Sequence, residues 1–367
     1  MKPILITGTG VVSAIGLGKA ETLEALLNGR SGVGPLQYLK TGHKEFPVGE
    51  VKLTDAEMRS RLGIADDAIT TRTALMGMLA LEEALQDAGL TPDMLPNVGF
   101  ISGTTVGGMD MSEQFYLDYV NNEAHKEYIT VHDCGSCTEM TAEHFGKFAF
   151  VTTLSTACSS AANAIILGAN MIRCGEADIV VVGGSECITK FHLNGFNSLM
   201  ILDTAPCRPF DATRNGLNLG EGAALFTMAR AEGDAICFAG AGETSDAYHP
   251  TAPDPEGTGA EAAMRAALAD AGLGPSDIAY VNLHGTGTAA NDAMEMKAMA
   301  RVFPALATGD GPAYESTKPL TGHCLGAAGA VEVALCWLKL VAGDVKGAAL
   351  SSSFAFGGSN AAVVLSK

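Results

Sequence analysis

The sequence predicts an α/β fold with buried sheets. Short runs rich in β-branched residues alternate with longer stretches rich in Ala, Leu and Met, as strands alternate with helices in such folds. The 367 residues are 47% hydrophobic and 17% charged, which suits a globular core and excludes a disordered chain. Lys+Arg total 23 and Asp+Glu total 41, so the formal net charge is −18. This balance argues against nucleic acid as a bulk partner, because phosphate binding needs a dense basic face.

The predicted elements, in chain order, are a strand over 4–7, helices over 20–27 and 73–85, strands over 98–102, 179–182 and 236–239, a helix over 260–271 and a strand over 279–283. The helix over 73–85 has apolar residues at helical spacing and runs into DAGLTP at 87–92, where glycine and then proline mark a helix end. The segment DAGLGP at 270–275 repeats this ending before another strand. The repetition predicts two related halves that pack together.

The composition also predicts a soluble, cytoplasmic protein. No apolar run reaches the roughly 20 residues of a membrane span, and the runs over 161–171 and 179–182 are short. The N-terminus leads from a brief apolar stretch straight into a glycine turn and lacks a signal-peptide layout. The nine cysteines, an odd number in apolar surroundings, suit reduced thiols better than a disulfide framework.

Cys158 is the first candidate for chemistry. It stands in LSTACSSAAN (154–163), where a strand turns into a helix of small residues. At a helix N-terminus, unpaired N–H groups and the positive end of the helix dipole favour the thiolate, which is the nucleophilic form. Taken alone, the segment more readily describes an inert cysteine that fills a small gap.

Three further motifs carry candidate functional residues. His284 in VNLHGTGT (281–288) follows a strand, where α/β proteins place functional groups. The segment STKPLTGHCLGAAG (316–329) places Lys318 and His323 before another helix of small residues. FAFGGSN (354–360) forms a glycine turn whose backbone N–H groups can approach a ligand closely. Each motif is ambiguous alone.

Together and in this order, the four motifs resemble the β-ketoacyl-acyl-carrier-protein synthases of the elongating, Cys-His-His type. The resemblance spans nearly the whole chain and includes connecting segments such as RPFD (208–211) and LGEGA (219–223). It implies an α/β, thiolase-like fold with two similar βαβαβαββ halves in a five-layered αβαβα core. Residues 1–230 would form the half that carries the nucleophilic cysteine, and residues 231–367 the half that carries both catalytic histidines.

The resemblance implies an acyltransferase, a 3-oxoacyl-acyl-carrier-protein synthase of fatty-acid or polyene/polyketide chain elongation. Cys158 would take the acyl chain from a phosphopantetheine thioester. His284 and His323 would stabilise the enolate that forms when a malonyl thioester loses carbon dioxide, because neutral imidazole N–H groups can donate to its oxygen. Lys318 would support charge and geometry around the histidines, with Glu295 as its acidic partner.

The remaining site residues also follow from the resemblance. The backbone N–H groups of Cys158 and Phe356 would form the oxyanion hole, and the Phe356 ring would be a gate between the two half-reactions. The expected substrate-binding residues are Thr286, Thr288, Gly357 and Gly358. No cofactor is implied, because the substrates arrive on the phosphopantetheine of an acyl carrier protein. The partner subunit would be a second copy or a homologous ketosynthase-like chain, and the sequence leaves both open.

The net charge of −18 conflicts with an acidic carrier protein unless basic residues gather at the site entrance. Arg208 is a candidate by its position in the family pattern, and Arg59 and Arg61 by their clustering. We expect no metal, because the single C-x-x-C at Cys134 and Cys137 lacks a second ligand pair. We also expect no nicotinamide binding, because the opening GTG lacks the full dinucleotide fingerprint.

One departure from the family pattern concerns the loop over 199–207, which is shorter and less basic than in typical elongating synthases. It places housekeeping fatty-acid elongation in doubt and favours a specialised polyene or polyketide-like chain. A non-catalytic partner subunit of the chain-length-factor type would share the fold but lack the cysteine. A thiolase would share the fold too, yet it would use a second catalytic cysteine, for which Cys324 is the one thiol suitably placed.

Overall fold

The computed structural model describes residues 2–367. Its strands, in chain order, are β1 (Ile4–Ser13), β2 (Gly16–Leu17), β3 (Val98–Gly103), β4 (Phe150–Leu154), β5 (Ile179–Glu186), β6 (Gly222–Arg230), β7 (Cys237–Ser245), β8 (Ile278–Asn282), β9 (Ala313–Glu315), β10 (Ala348–Phe354) and β11 (Ser359–Ser366). Its helices are α1 (Lys19–Leu27), α2 (Asp55–Leu62), α3 (Arg72–Ala88), α4 (Met109–Asn122), α5 (Lys126–Thr130), α6 (Cys134–Phe145), α7 (Ser160–Cys174), α8 (Lys190–Ser198), α9 (Thr258–Ala271), α10 (Ala289–Val302), α11 (Lys318–Thr321) and α12 (Ala328–Ala342).

The strands follow the order β4-β3-β5-β6-β1-β7-β11-β10-β8-β9, and β2 pairs with β1. The order divides between β1 and β7, which are joined by two residue pairs at Ile4 and Leu5. On one side β4, β3 and β5 run parallel, and β6 and β1 follow antiparallel. On the other side β9, β8 and β10 run parallel, and β11 and β7 follow antiparallel. The two halves therefore share one strand arrangement, although a domain boundary at 230/231 stays a prediction.

The repeated helix ending in the sequence has the same geometry in both halves. After α3 the chain passes through Gly89 with φ 65°, and after α9 it passes through Gly272 with φ 66°. Both values lie in the left-handed region that glycine adopts without steric cost, so each helix ends where the sequence predicts. The next strands are β3 and β8, which occupy equivalent places in the two halves.

The helices form three layers around the two half-sheets. α7 and α12 pack against each other and against strands of both halves, whereas α3 and α6 cover one outer face and α9 and α10 the other. Small residues permit the central contact, since a Cβ on Gly329 of α12 would lie 2.8 Å from the Cβ of Ala162 in α7. This arrangement confirms the predicted α/β, five-layered fold, and it places the N-termini of α7 and α12 side by side.

One helix passes a simple test for a membrane span. Leu325–Ala342 has 18 residues and a mean hydropathy of 1.7, and 78% of this stretch is buried inside the protein. Glu332 and Lys339 interrupt this stretch in the sequence, so it does not stand out as a continuous apolar run beside those over 161–171 and 179–182. A helix enclosed between two sheets is apolar on all sides, so its burial accounts for its composition.

Candidate active site

Cys158 lies in the connection between β4 and α7, two residues before the first helical residue. Ala157 just before it has φ 53°, a left-handed value that residues with a side chain rarely adopt. The Oγ of Ser159 donates to the Oγ of Ser359 at 2.9 Å and so ties this turn to the start of β11. The sharp turn presents the Cys158 thiol, 7% exposed, to a cavity of about 440 Å³.

Burial and the neighbouring donors act on the Cys158 thiol in opposite directions. Burial raises its pKa to about 12, although the Lys318 ammonium and the Phe356 backbone N–H act in the opposite direction. The sequence predicts that the helix N-terminus favours the thiolate, and here the loss of hydration outweighs that effect. The thiol therefore has to give up its proton as it attacks.

The two predicted histidines face each other beside the thiol. His284 follows β8 and His323 follows α11, and their ring centroids lie 5.3 Å apart with planes at 85°. The ligand atoms of Cys158, His284 and His323 all lie within 4.8 Å of one another. Each histidine is 2% exposed. The structure thus brings together a thiol from one half of the chain and two imidazoles from the other.

Both imidazoles are neutral, and both direct the same nitrogen into the cavity. Burial and the nearby Lys318 ammonium hold the pKa of His284 and His323 well below the ordinary value of 6.5. The Leu325 backbone N–H donates to Nδ1 of His323 at 3.3 Å, and the Lys318 ammonium lies 3.4 Å from Nδ1 of His284. A donor at each Nδ1 makes that atom the acceptor, so the ring proton resides on Nε2.

The prediction that Glu295 is the acidic partner of Lys318 is wrong. The Lys318 ammonium forms its ion pair with Glu332 of α12, and both side chains are almost fully buried. Glu295 instead accepts the backbone N–H groups of His284 and Gly285, each at 2.7 Å, and the Ser352 hydroxyl at 3.0 Å. Glu295 therefore fixes the backbone that carries His284. Glu332 was detectable in the sequence as an acidic residue inside an otherwise apolar helix, since a buried charge requires a partner.

The backbone of Phe356 lies beside Cys158, and the oxyanion hole there stays a prediction. Its backbone N–H interacts with the Cys158 thiol, and its ring stacks on Phe196 with centroids 5.8 Å apart. Phe196 of α8 and the three residues that follow this helix, Leu199, Met200 and Ile201, form an apolar wall of the cavity. Sequence reasoning missed this apolar wall, although exposed Leu199 and Met200 stand in the shortened loop that it identified.

Two of the four predicted substrate-binding residues line the cavity. Thr286 and Thr288 do so, and their hydroxyls bond to each other at 2.9 Å. Gly357 and Gly358 are not among the residues that line the cavity. The N–H of Gly357 donates to the Pro250 carbonyl at 2.8 Å, and the N–H of Gly358 donates to the Ala355 carbonyl at 3.1 Å. Their backbone donors are thus used within the turn. Their left-handed φ values of 80° and 83° shape the turn that presents Phe356.

The three predicted carrier-binding arginines lie on two separate segments of the chain. Arg59 and Arg61 belong to α2, where the Arg59 guanidinium donates to two carbonyls of its own region, Ala65 and Ala68. Arg208 is exposed and contacts Asp203 at 3.4 Å. None of the three lines the cavity, whereas Arg214 does, six residues after Arg208. Sequence reasoning missed Arg214, although it lies three residues after the end of the RPFD segment.

Within residues 2–367, the group of side chains best placed to hold a metal ion is the site itself, Cys158, His284 and His323. The Lys318 ammonium beside His284 opposes a cation there. The Cys134 and Cys137 pair shows no such grouping, since the Cys137 thiol donates to the Cys134 carbonyl at 3.2 Å within α6. Cys324, the thiolase candidate, is buried, and its thiol donates to backbone carbonyls at 3.6 to 4.0 Å.

A buried thiol and two neutral imidazoles at the end of one cavity, in a duplicated five-layered fold, define a thiolase-like condensing enzyme. The sequence matches the "Beta-ketoacyl synthase, N-terminal domain" over residues 1–233 and the "Beta-ketoacyl synthase, C-terminal domain" over residues 236–347. The chain belongs to the β-ketoacyl synthase family and is therefore an acyltransferase.

Similar proteins agree with this assignment. "3-oxoacyl-[acyl-carrier-protein] synthase 2" of Coxiella burnetii is 31% identical over 99% of this chain and 98% of its own length. "Nodulation protein E" of Rhizobium meliloti is 34% identical over 93% of this chain and 87% of its own length. Among solved structures, a chain from the complex of a ketosynthase with its chain length factor from Xenorhabdus doucetiae superimposes with a TM-score of 0.84, at 31% identity, over 100% of this chain and 98% of that one.

Proposed function

We propose that this enzyme is a 3-oxoacyl-acyl-carrier-protein synthase that works in two half-reactions at the Cys158, His284 and His323 site. The observation that carries the proposal is the placement of their ligand atoms within 4.8 Å of one another. One such group provides both a nucleophile for an acyl chain and two N–H donors for an enolate.

In the first half-reaction, the Cys158 sulfur attacks the carbonyl carbon of an acyl-carrier thioester. The carbonyl oxygen accepts the backbone N–H groups of Cys158 and Phe356 while it carries negative charge. The carbon–sulfur bond to the carrier then breaks, and the departing carrier thiolate takes the proton that Cys158 releases. The products are an acyl-cysteine and a free carrier thiol.

In the second half-reaction, malonyl-carrier binds and its carbon–carboxylate bond breaks. The electron pair moves into the thioester and forms an enolate, whose oxygen accepts the Nε2–H groups of His284 and His323. The enolate carbon attacks the acyl-cysteine carbonyl, a carbon–carbon bond forms, and the sulfur of Cys158 leaves as a thiolate that takes a proton from water. Carbon dioxide and 3-oxoacyl-carrier are released.

The first test compares the intact mass of the wild-type protein and Cys158→Ala after incubation with acyl-carrier thioesters of different lengths and unsaturation. We expect an acyl adduct on the wild type that malonyl-carrier chases into a 3-oxoacyl product, and no adduct on the variant. A wild type that takes no acyl group, with or without a co-expressed homologue, would instead support the non-catalytic chain-length-factor type of subunit.

We propose a specialised polyene or polyketide-like chain as the substrate. Support comes from the uncharged segment Thr204–Cys207 and from the apolar wall of Leu199, Met200 and Ile201. Two similar solved structures, at 31% and 28% identity, are ketosynthases described together with a chain length factor. A preference for saturated chains over polyunsaturated ones of equal length in the acylation test would contradict it.

We further propose that the enzyme acts in the cytoplasm as a dimer with a second ketosynthase-like subunit and receives its substrates from an acyl carrier protein. β4 ends the sheet, and among the described residues its pairing partner is β3 alone, so its other edge is available for a second subunit. The nine cysteines are free thiols, which suits a reducing compartment. Light scattering on the protein alone and with a co-expressed homologue would distinguish a homodimer from a heterodimer.

A further inference from the structure

Glu186 is a fully buried carboxylate that neither half-reaction uses. It is the last residue of β5 and is 0% exposed. Its Oε2 accepts the Thr104 hydroxyl at 2.7 Å and the Thr105 backbone N–H at 2.8 Å, and its Oε1 accepts the Thr105 hydroxyl. A buried carboxylate with this many donors fixes the segments that supply them.

The same carboxylate packs against the turn that follows His323. The Gly326 N–H interacts with Glu186, and a Cβ on Gly326 would lie 2.7 Å from Oε2 of Glu186 and 2.8 Å from the Thr105 nitrogen. Position 326 therefore has room for glycine alone. Because Thr105 lies in the N-terminal half and Gly326 in the C-terminal half, Glu186 joins the two halves directly beneath the site.

The residue between His323 and this contact point is held in an unfavourable conformation. Leu325 has φ 49°, in the left-handed region that a residue with a side chain adopts only when its surroundings impose it. In this conformation the Leu325 N–H points at Nδ1 of His323, 3.3 Å away. That hydrogen bond determines which ring nitrogen carries the proton.

We propose that Glu186 is a positioning residue for malonyl decarboxylation: it holds the Leu325–Ala327 turn so that the Leu325 N–H occupies Nδ1 of His323 and leaves the proton on Nε2. The inference rests on the proposed function, because it assigns Nε2–H of His323 to the enolate oxygen. Acyl transfer to Cys158 does not use the His323 N–H, so this positioning role is confined to decarboxylation.

The test uses Glu186→Gln, which keeps the shape of the side chain but removes its charge and leaves one amide oxygen to accept the hydroxyl and N–H groups that two carboxylate oxygens accept in the wild type. We expect carbon dioxide release from malonyl-carrier to slow by on the order of 10- to 100-fold, less than the ~10²- to 10³-fold that follows removal of a whole oxyanion donor. The rate of Cys158 acylation should be equal or higher, because the Glu186 charge raises the pKa of that thiol. Both rates are normalised to the fraction of Cys158 that accepts an acyl group, so misfolded protein does not affect the measured rates.

Gly326→Ala is the second variant, since its methyl group displaces the same turn while the carboxylate remains. It should give the same selective loss of decarboxylation. Glu113→Gln is the matched control: Glu113 also accepts backbone N–H groups, those of Lys190 and Phe191, but it caps α8 instead of the His323 turn. Its two rates should stay within about twofold of the wild type.

Equal rates for the wild type, Glu186→Gln and Gly326→Ala would overturn the positioning role, as would a parallel fall of both half-reactions in the two variants. A wild type that forms no acyl-cysteine would instead contradict the proposed function, so the two failures are distinguishable.

Discussion

The two halves of the molecule have the same strand order but place different chemistry at equivalent strand ends. At the ends of β3 and β5 the N-terminal half carries Thr105 and Glu186, whereas at the ends of β8 and β10 the C-terminal half carries His284 and Phe356. Before the central helices, α7 is preceded by Cys158 and α12 by His323. In the proposed mechanism one half supplies the nucleophile and the other the enolate donors, so a duplicated scaffold would serve two half-reactions at a single cavity.

The halves also differ in how they handle buried charge. α12 carries Glu332, whose burial raises its pKa to about 7 and whose ion pair with Lys318 lies beside the histidines. The facing helix α7 has no charged residue before Arg173 near its end. The central layer therefore keeps one ion pair on the side of the imidazoles, where a positive charge opposes their protonation.

The largest effect is expected from breaking that pair. Lys318→Met leaves the Glu332 carboxylate buried without a counter-charge and should lower the free energy of unfolding by about 3–5 kcal/mol. The double variant Lys318→Met, Glu332→Gln should regain most of this loss, yet not the decarboxylation rate, because Nδ1 of His284 still lacks its donor. Urea unfolding measures the first quantity and carbon dioxide release the second.

The control for this pair is Lys297→Met, which removes a lysine from an ion pair with Glu256 whose side chains are 47% and 67% exposed. It should change the free energy of unfolding by less than about 1 kcal/mol. A Lys318→Met protein as stable as this control would show that the buried pair does not constrain the central layer.

The division of labour between the halves predicts a selective effect of the histidines. His284→Ala and His323→Ala should each slow malonyl decarboxylation by about 10²- to 10³-fold, because each removes one donor to the enolate oxygen. Acylation of Cys158 should persist, since its oxyanion donors are backbone groups. Exposed His144 on α6 provides the control variant His144→Ala. Loss of acylation in both site variants would contradict the assignment of the two half-reactions to different halves of the chain.

The pH dependence of the decarboxylation rate tests the role of Lys318. Burial and the Lys318 ammonium hold the pKa of both site histidines well below 6.5, so decarboxylation should not decline through imidazole protonation as the pH falls from 8 to 6.5. Removal of the positive charge in Lys318→Met raises these pKa values. The acid decline in the rate should then begin at higher pH in the variant than in the wild type, and identical profiles would contradict this cause.

The sequence predicted the fold and the three reactive side chains because their signals are local. Glycine stops end α3 and α9, and Cys158, His284 and His323 each stand at a strand or turn end within a short motif. It did not predict that Glu332, instead of Glu295, pairs with Lys318, because both acidic residues are buried and the choice depends on how α12 lies against α11. The apolar wall of Phe196 and Met200 was missed because its place at the cavity depends on contacts with distant segments, such as the stacking of Phe196 on Phe356.

The smallest expected effect concerns the carrier protein and distinguishes two surfaces. The Arg208 segment, residues 208–214, contacts the C-terminal half. The Phe210 N–H donates to the Asp292 carboxylate at 2.8 Å, and the Arg214 guanidinium lies 3.4 Å from the same carboxylate. Arg61 instead lies on α2 of the N-terminal half.

Arg208→Glu should therefore weaken the binding of an acidic carrier by about 1 kcal/mol and make it less sensitive to salt, whereas Arg61→Glu should change little. Titration calorimetry at two salt concentrations gives both quantities. A larger effect at Arg61 would move the carrier from the Arg208 segment to α2, and the phosphopantetheine arm would then have to approach the cavity from the half that supplies the nucleophile.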